Sequence, residues 1–319
     1  MRTLITGGAG FIGSHLADRL LADGHQVVLL DDLSTGRHTN IAHLLDRLDV
    51  EFVLGSVLNA DLVDDVASRC DRIYHLAAAV GVELIVERPL ESLRTNIRGA
   101  EIVLEKAHKY SVPTLVTTTS EIYGKNTSDR LSEGDDRVLG SPVKTRWAYS
   151  EAKAIEEVLA YTYFKAKSLP TVVVRLFNTV GPRQTGTYGM VIPRFVQQAI
   201  RGESLTVYGD GGQSRCFCHV SDVVGALPDL LEHPEAPGQA VNLGSTEEIT
   251  IAALAERVIS RAGSQSKLSY VPYDEAYEAG FEDMPRRVPD LSRAQALVGF
   301  APTHDLDAII DSVLAEQRG

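Results

Sequence analysis

Several kinds of function are excluded by what this chain has little of. Its 319 residues contain three cysteines, three methionines and one tryptophan. Three cysteines are too few for a disulfide framework, and an isolated Cys216-x-Cys218 pair lacks the second knuckle of a zinc site, so reduced core cysteines and no metal are expected. Positive charge is scarce as well: 31 Lys and Arg against 43 Asp and Glu leave a formal net charge of −12. That balance argues against a nucleic-acid groove, although a few local arginines can still bind an anionic small molecule. No apolar run approaches the roughly 18 residues of a membrane span. A strand pattern begins at residue 2 without a signal-peptide pattern, which makes a cytoplasmic enzyme the expectation.

What is present begins with glycine. Arg2 to Thr6 reads as a short buried strand, followed by Gly7-Gly8-Ala9-Gly10-Phe11-Ile12-Gly13 and a helical pattern through Leu16, Leu20 and Leu21. Strand, glycine turn and helix in that order are the context a dinucleotide fingerprint requires, and Gly8-x-Gly10-x-x-Gly13 satisfies it. The glycines admit the turn and the pyrophosphate, which sits at the helix N-terminus. Gly24 ends the helix, Gln26 to Leu30 forms a second strand, and Asp31 follows about twenty residues after the fingerprint, where a ribose-binding acid is expected. A carboxylate there accepts ribose hydroxyls and repels a 2′-phosphate, which favours NAD over NADP. Asp32 is its neighbour and a second candidate, and Arg37 reads as a solvent-facing loop residue.

Strand-like segments recur at Glu51 to Leu54, Arg72 to Leu76, Thr114 to Thr118 and Thr171 to Arg175, separated by helical stretches. This alternation predicts an α/β fold with a doubly wound parallel sheet of Rossmann type over residues 1–175. The proline-punctuated second half, residues 176–319, reads as a smaller, interleaved substrate-binding lobe that also contributes late strands to the first. Ligands of such sheets bind beyond the carboxyl ends of the strands, where His75-Leu76-Ala77-Ala78, Thr117 to Glu121 and Asn178 fall. The helices near residues 100–110 and 150–165 carry apolar positions on more than one face, which suits either a helix-paired homodimer or a thick core.

Tyr149-Ser150-Glu151-Ala152-Lys153 then places a phenol and an ammonium on one helical face. A cation beneath a phenol favours its ionised form and makes a base usable near neutral pH. Taken alone the spacing is more often that of a surface pair; with the fingerprint upstream it points to redox chemistry on a nicotinamide.

Together these motifs resemble the extended short-chain dehydrogenase/reductase family, and within it the nucleotide-sugar epimerases, dehydratases and decarboxylases. The resemblance runs through Gly7-x-x-Gly10-x-x-Gly13, Asp31, His75 to Ala78, Asn96, Thr119 to Gly124, Tyr149-x-x-x-Lys153, Arg175 to Arg183, Val207 to Gly211 and Arg215 to Asp222. It implies that Tyr149 takes the proton of a sugar 4-hydroxyl, that Lys153 holds the nicotinamide ribose and that Thr119 bonds O4. It implies NAD contacts from Phe11, Ile12, Leu76, Ala77, Ala78 and Asn96. Gly55-Ser56 stands where many relatives bind adenine through Asp, so that recognition is weakened or rerouted through Val57. Asn178, Arg215 and the pair Arg286 and Arg287 match diphosphate or uronate contacts, while Val207 and Tyr208 match the wall beside a uridine base. His219 reads as a packed neutral histidine.

The resemblance leaves the outcome open. Ser120-Glu121 replaces the Asp-Glu pair of the dehydratases, which disfavours 4,6-dehydration, and is similar to the UDP-glucuronate decarboxylases. Ala79-Val80-Gly81-Val82 departs from their serine-proline pair. The expectation is therefore a 4-epimerase acting on a UDP-hexose or UDP-hexuronate, with Glu121 either a ribose-side hydrogen-bond acceptor or a clamp on the sugar hydroxyls, and UDP-glucuronate decarboxylation second. A dinucleotide-binding protein without turnover is the competing class; the presence of Thr119, Tyr149 and Lys153 speaks against it. Residues near Val82, Glu83 and Thr185 to Tyr188 are expected to shape the sugar pocket.

Overall fold

The computed structural model describes residues 1–79, 89–144, 147–186, 190–272, 275, 284 and 286–318. Its centre is a seven-stranded sheet of β1 (Arg2–Thr6), β2 (Gln26–Asp31), β3 (Val50–Leu54), β4 (Arg72–His75), β5 (Thr114–Thr119), β6 (Thr171–Leu176) and β11 (Ala240–Leu243). The spatial order is β11-β6-β5-β4-β1-β2-β3. Every pairing within it is parallel. Strands such as QVVLLD and TVVVRL are β-branched or apolar at nearly every position because both faces are covered, and all but their ends are buried.

One face carries α1 (Phe11–Ala22) and α6 (Val220–Glu232), whose Leu16, Leu20, Val223 and Leu227 join Ile5, Leu29 and Val174 in one core. The other carries α2 (Ala60–Ala67), α3 (Pro89–Tyr110) and α4 (Ala148–Lys167), where Val63, Val66, Ile102, Val103 and Ala160 pack on Leu4, Val28 and Val116. α3 begins well before the stretch near residue 100 that its apolar pattern marks, because its first turns are polar.

A third core lies in the second half of the chain. It is built by α5 (Val191–Arg201), β8 (Leu205–Tyr208), α7 (Ile251–Ala262) and α9 (Leu306–Arg318), with Phe195, Val207, Leu254 and Ile310 at its centre. Three two-stranded ladders complete this half: β7 (Thr179–Val180) with β10 (Cys218–His219), β9 (Ser214–Cys216) with β12 (Glu248–Thr250), and β8 with β13 (Leu268–Val271). The chain crosses back into the large sheet at β11, so the two halves interleave. Strand order reverses between β1 and β4, and the cleft opens at the carboxyl ends of those two strands.

Candidate active site

The glycine turn after β1 forms one wall of the cleft. Gly7 has φ of +72°, and a Cβ on it would lie 2.8 Å from the Ala77 nitrogen. A Cβ on Gly13 would lie 2.1 Å from the Gly7 carbonyl oxygen, which is no contact at all but an overlap. Bare backbone is thus obligatory where the β1 turn, α1 and the strand end Leu76-Ala77 converge. Gly10 is the N-cap of α1 and offers no side-chain cap, so the amides of the first turn face the cleft as an anion site.

Asp31 closes this wall at the end of β2. Its carboxylate accepts the Ala9 N–H at 2.9 Å and the Leu33 N–H at 2.8 Å, and burial pushes its pKa up. These two bonds fix the carboxylate and leave lone pairs for ribose hydroxyls. The cleft, of about 350 Å³, is lined by Gly7, Gly10, Phe11, Ile12, Gly13, Asp31, Asp32, Val57, Leu76, Ala77 and Ala78 on this side. Ser56 and Asn96 are outside the lining. Ser56 accepts the Leu58 N–H at 3.4 Å. Asn96 is fully buried and grips the Ala79 backbone from both ends of its amide, at 2.8 and 3.3 Å.

The same cleft continues to Thr119, Ser120, Glu121, Tyr149, Lys153, Asn178 and Arg287. Thr119 ends β5, and its hydroxyl oxygen accepts the Glu121 N–H at 3.2 Å, leaving its hydrogen to donate elsewhere. Ser150 donates to the Glu121 carbonyl at 2.7 Å and so ties the start of α4 to the turn Ser120–Tyr123. Arg287 enters from the irregular C-terminal segment; it is buried, its Nη1 3.4 Å from the Ser120 hydroxyl and 3.7 Å from a Glu121 carboxylate oxygen. Of the adjacent arginines, only this one enters the cleft. Arg286 turns outward to Glu248 at 2.9 Å and is half-exposed, so its expected place at the substrate is not what the geometry shows.

Lys153 departs from the expectation of an ammonium committed to the phenol. It donates to the Thr117 carbonyl at 3.1 Å and to Glu156 at 2.9 Å, in an ion pair whose side chains are 3 % and 0 % exposed. Burial first, then the Glu121 and Glu156 carboxylates, hold the Tyr149 phenol well above its ordinary value. Burial is the first reason for the difference, and the Lys153 ammonium is paired with Glu156, a carboxylate one helical turn beyond it.

A second network behind the site was not singled out from the sequence. Arg175 of β6 donates to Glu157 at 2.7 Å and to the Tyr123 hydroxyl at 2.9 Å, and Tyr123 donates to Asn242 at 2.8 Å. Thr118 adds a bond to Glu157 at 2.6 Å. It anchors α4 to the carboxyl ends of β5, β6 and β11. A buried arginine at a strand end and a glutamate four residues after Lys153 were the available signal.

Asn178 links the cleft to the second half of the chain by donating to the Cys216 carbonyl at 2.8 Å, on the strand that carries Arg215. Arg215 is buried and donates to the Ser214 carbonyl at 2.7 Å. Val207 is fully buried, and the Tyr208 ring lies 4.5 Å from the Arg194 guanidinium. Val207, Tyr208 and Arg215 stand outside the cleft lining. His219 is packed as expected: it stacks on His304 with ring centroids 4.3 Å apart, and burial lowers its pKa to about 4. Cys70, Cys216 and Cys218 are buried and free. Val80, Gly81, Val82, Glu83, Thr187, Tyr188 and Pro285 lie outside the described residues.

Residues 3–244 match the model of the NAD dependent epimerase/dehydratase family. The chain is 38 % identical over 302 residues to UDP-N-acetyl-alpha-D-glucosaminuronate decarboxylase of Bacillus cytotoxicus, covering 94 % of this chain and 92 % of that protein. It is 36 % identical over 308 residues to UDP-glucuronic acid decarboxylase 1 of Danio rerio, covering 96 % of this chain and 70 % of that one. Among solved structures it is similar to UDP-glucuronic acid 4-epimerase from Bacillus cereus in complex with UDP-glucuronic acid and NAD, with a TM-score of 0.89, 26 % identity and coverage of 100 % and 99 %. The bare glycine cradle, the amides of α1 and the fixed Asp31 carboxylate fit NAD as the cofactor, and the chain belongs to the NAD dependent epimerase/dehydratase family.

Proposed function

We propose that this enzyme is an NAD-dependent decarboxylase of a UDP-linked hexuronate, of the glucuronate or N-acetylglucosaminuronate type. The observation that carries this reading is the likeness, over nearly the whole chain, to curated proteins named for that reaction. It moves the balance from the 4-epimerase expected from sequence to its decarboxylase alternative. Arg287 supports a uronate in particular, because a buried guanidinium beside Ser120 and Glu121 is suited to a C6 carboxylate.

Held by the glycine turn, the first-turn amides of α1 and Asp31, bound NAD would supply the hydride acceptor for sugar C4 and the donor for its later reduction. Tyr149 removes the 4-hydroxyl proton, and the Thr119 hydroxyl donates to O4. The resulting 4-keto uronate is a β-keto acid: as the C5–C6 bond breaks, its electron pair moves to a C4–C5 enolate and carbon dioxide leaves. A proton from water taken up at C5 then gives a 4-keto pentose, and Tyr149 returns its proton to O4 when C4 is reduced again. In this reading Arg287 holds the carboxylate out of the carbonyl plane, where the breaking bond overlaps the carbonyl, and Glu121 orients Arg287 and the sugar hydroxyls. Lys153 holds the nicotinamide ribose and Asn178, in the cleft lining, meets the diphosphate; Arg215 and Tyr208, outside that lining, and the core-buried Val207 are given no nucleotide contact.

A homodimer is part of the proposal. Ile155, Val158 and Tyr161 of α4 are 40 %, 64 % and 51 % exposed, a stripe at helical spacing that a second copy would cover. No helix among the described residues is long and apolar enough to cross a membrane.

Proton NMR of the enzyme incubated separately with UDP-glucuronate and UDP-N-acetylglucosaminuronate tests the reading. A pentose anomeric signal from one of them is the expected result. Conversion to the galacto isomer would instead make the protein a uronate 4-epimerase.

A further inference from the structure

Lys153, which lines the cleft, forms a buried ion pair with Glu156, a carboxylate that the reaction scheme above does not use. Both belong to α4, three residues apart, and both are sealed from solvent. Glu156 Oε2 accepts from Lys153, while Oε1 is buried with no hydrogen-bond partner among the described residues. An i,i+3 pair of this kind is ordinarily a solvated surface contact of small consequence. Placing it in the core costs desolvation of two ions, and an orphaned carboxylate oxygen adds to that cost.

The surroundings give Glu156 little other compensation. Among the described residues Lys153 is the cation that acts on it, and Glu157 on the same helix, itself paired with Arg175 of β6, repels it. β4 brings His75, which burial keeps neutral with a pKa lowered to about 3. β5 brings the neutral Thr117 and Thr118, and the turn after it brings Glu121, which faces Tyr149. Burial pushes the Glu156 carboxyl up to about 7, with Lys153 opposing the shift.

We propose that Glu156 is a positioning residue: it holds the Lys153 ammonium against the Thr117 carbonyl and, by dividing that cation's charge, sets the proton affinity of the Tyr149 phenol. With Glu156 ionised, the phenol faces a neutralised pair and keeps its proton. With Glu156 neutral, the undivided charge of Lys153 favours the phenolate. The activation of Tyr149 is therefore coupled to a carboxyl that touches neither sugar nor cofactor. This inference rests on Tyr149 being the base of the proposed reaction, but not on whether the 4-keto sugar is decarboxylated or epimerised.

The test is an ultraviolet titration of tyrosinate in the NAD-loaded enzyme, with Tyr149→Phe as the baseline that isolates the Tyr149 signal. Glu156→Gln should move the Tyr149 midpoint to lower pH by about one unit or more, and the acid limb of the kcat profile should move with it. Glu156→Ala should shift it the same way, and Glu156→Asp should restore it toward the wild-type value. Gln and Ala variants that titrate at the wild-type midpoint, or the absence of any Tyr149-dependent signal, would overturn the proposal. Failure of the decarboxylase reading is seen separately, as a different sugar product from the wild-type enzyme while the titration shift persists.

Discussion

Replacing Arg287 by methionine keeps the reach of the side chain and removes its charge, so it isolates the part of the site that recognises a uronate. The guanidinium is buried, and its present partners are the Ser120 hydroxyl at 3.4 Å and the Glu121 carboxylate at 3.7 Å. Two unit charges about 4 Å apart at an effective dielectric near 20 attract by about 4 kcal/mol. Glu121 already draws on the same cation, and charge-assisted hydrogen bonds contribute about 1.5–3 kcal/mol net. A loss of about 3 kcal/mol is the reasonable figure, equal to roughly a hundredfold in affinity. Titration calorimetry with UDP-glucuronate, UDP-glucose and UDP separates the contributions. Arg287→Met should weaken UDP-glucuronate by that factor and leave UDP and UDP-glucose within a few-fold of wild type. An equal loss for all three would place Arg287 on the diphosphate and refute its assignment to the carboxylate.

Three further outcomes follow from the same geometry. Gly13→Ala sets a Cβ 2.1 Å from the Gly7 carbonyl and should abolish NAD binding, measured by fluorescence of bound NADH; retained binding would show that the turn can open. Arg175→Met strands the Glu157 carboxylate, together with Tyr123, inside the core and should cost about 3–5 kcal/mol in denaturant unfolding, whereas a change below about 1 kcal/mol would mean the network is not a clamp on α4. His75 is neutral in the folded chain, with its pKa lowered to about 3 from 6.5. The unfolded chain therefore takes up a proton first as pH falls through 6.5, and stability is lost between there and about 3. His75→Asn should flatten that part of the stability profile, read from urea midpoints at successive pH values; an unchanged slope would refute the assignment.

Much of the fold was legible because each step of the first half carries its own local signal. The β1 turn needs bare glycines, β2 ends on Asp31, and apolar strands alternate with helical periodicity, so order and function of these pieces follow together. Strand ends were misjudged by a residue or so, and α3 by more, since its early turns, ESLRTN, present little apolar surface to read. The return of the chain to the sheet at β11 carried no such marker, because AVNL is indistinguishable from any short buried run. Thr119, Glu121, Tyr149, Lys153 and Asn178 are all singled out by the sequence as candidates, and the structure brings them to one cleft. Arg286 and Arg287 could not be separated, as an irregular segment has no period that assigns a face. Glu156 was missed for a related reason: three residues after a lysine it looks like a surface partner, and only burial of both distinguishes it. Tyr208 and Arg215 lie outside the cleft lining, in the half of the chain whose ladders are too short to announce their register.

The most direct test of the account is to supply UDP-glucuronate, and separately its N-acetylglucosamine counterpart, labelled with carbon-13 at C6 and to follow the label in a sealed reaction without added reductant. Appearance of labelled carbon dioxide in step with a UDP-pentose is the predicted result. Label retained in a UDP-hexuronate of altered configuration at C4 would contradict decarboxylation and return the protein to the epimerases.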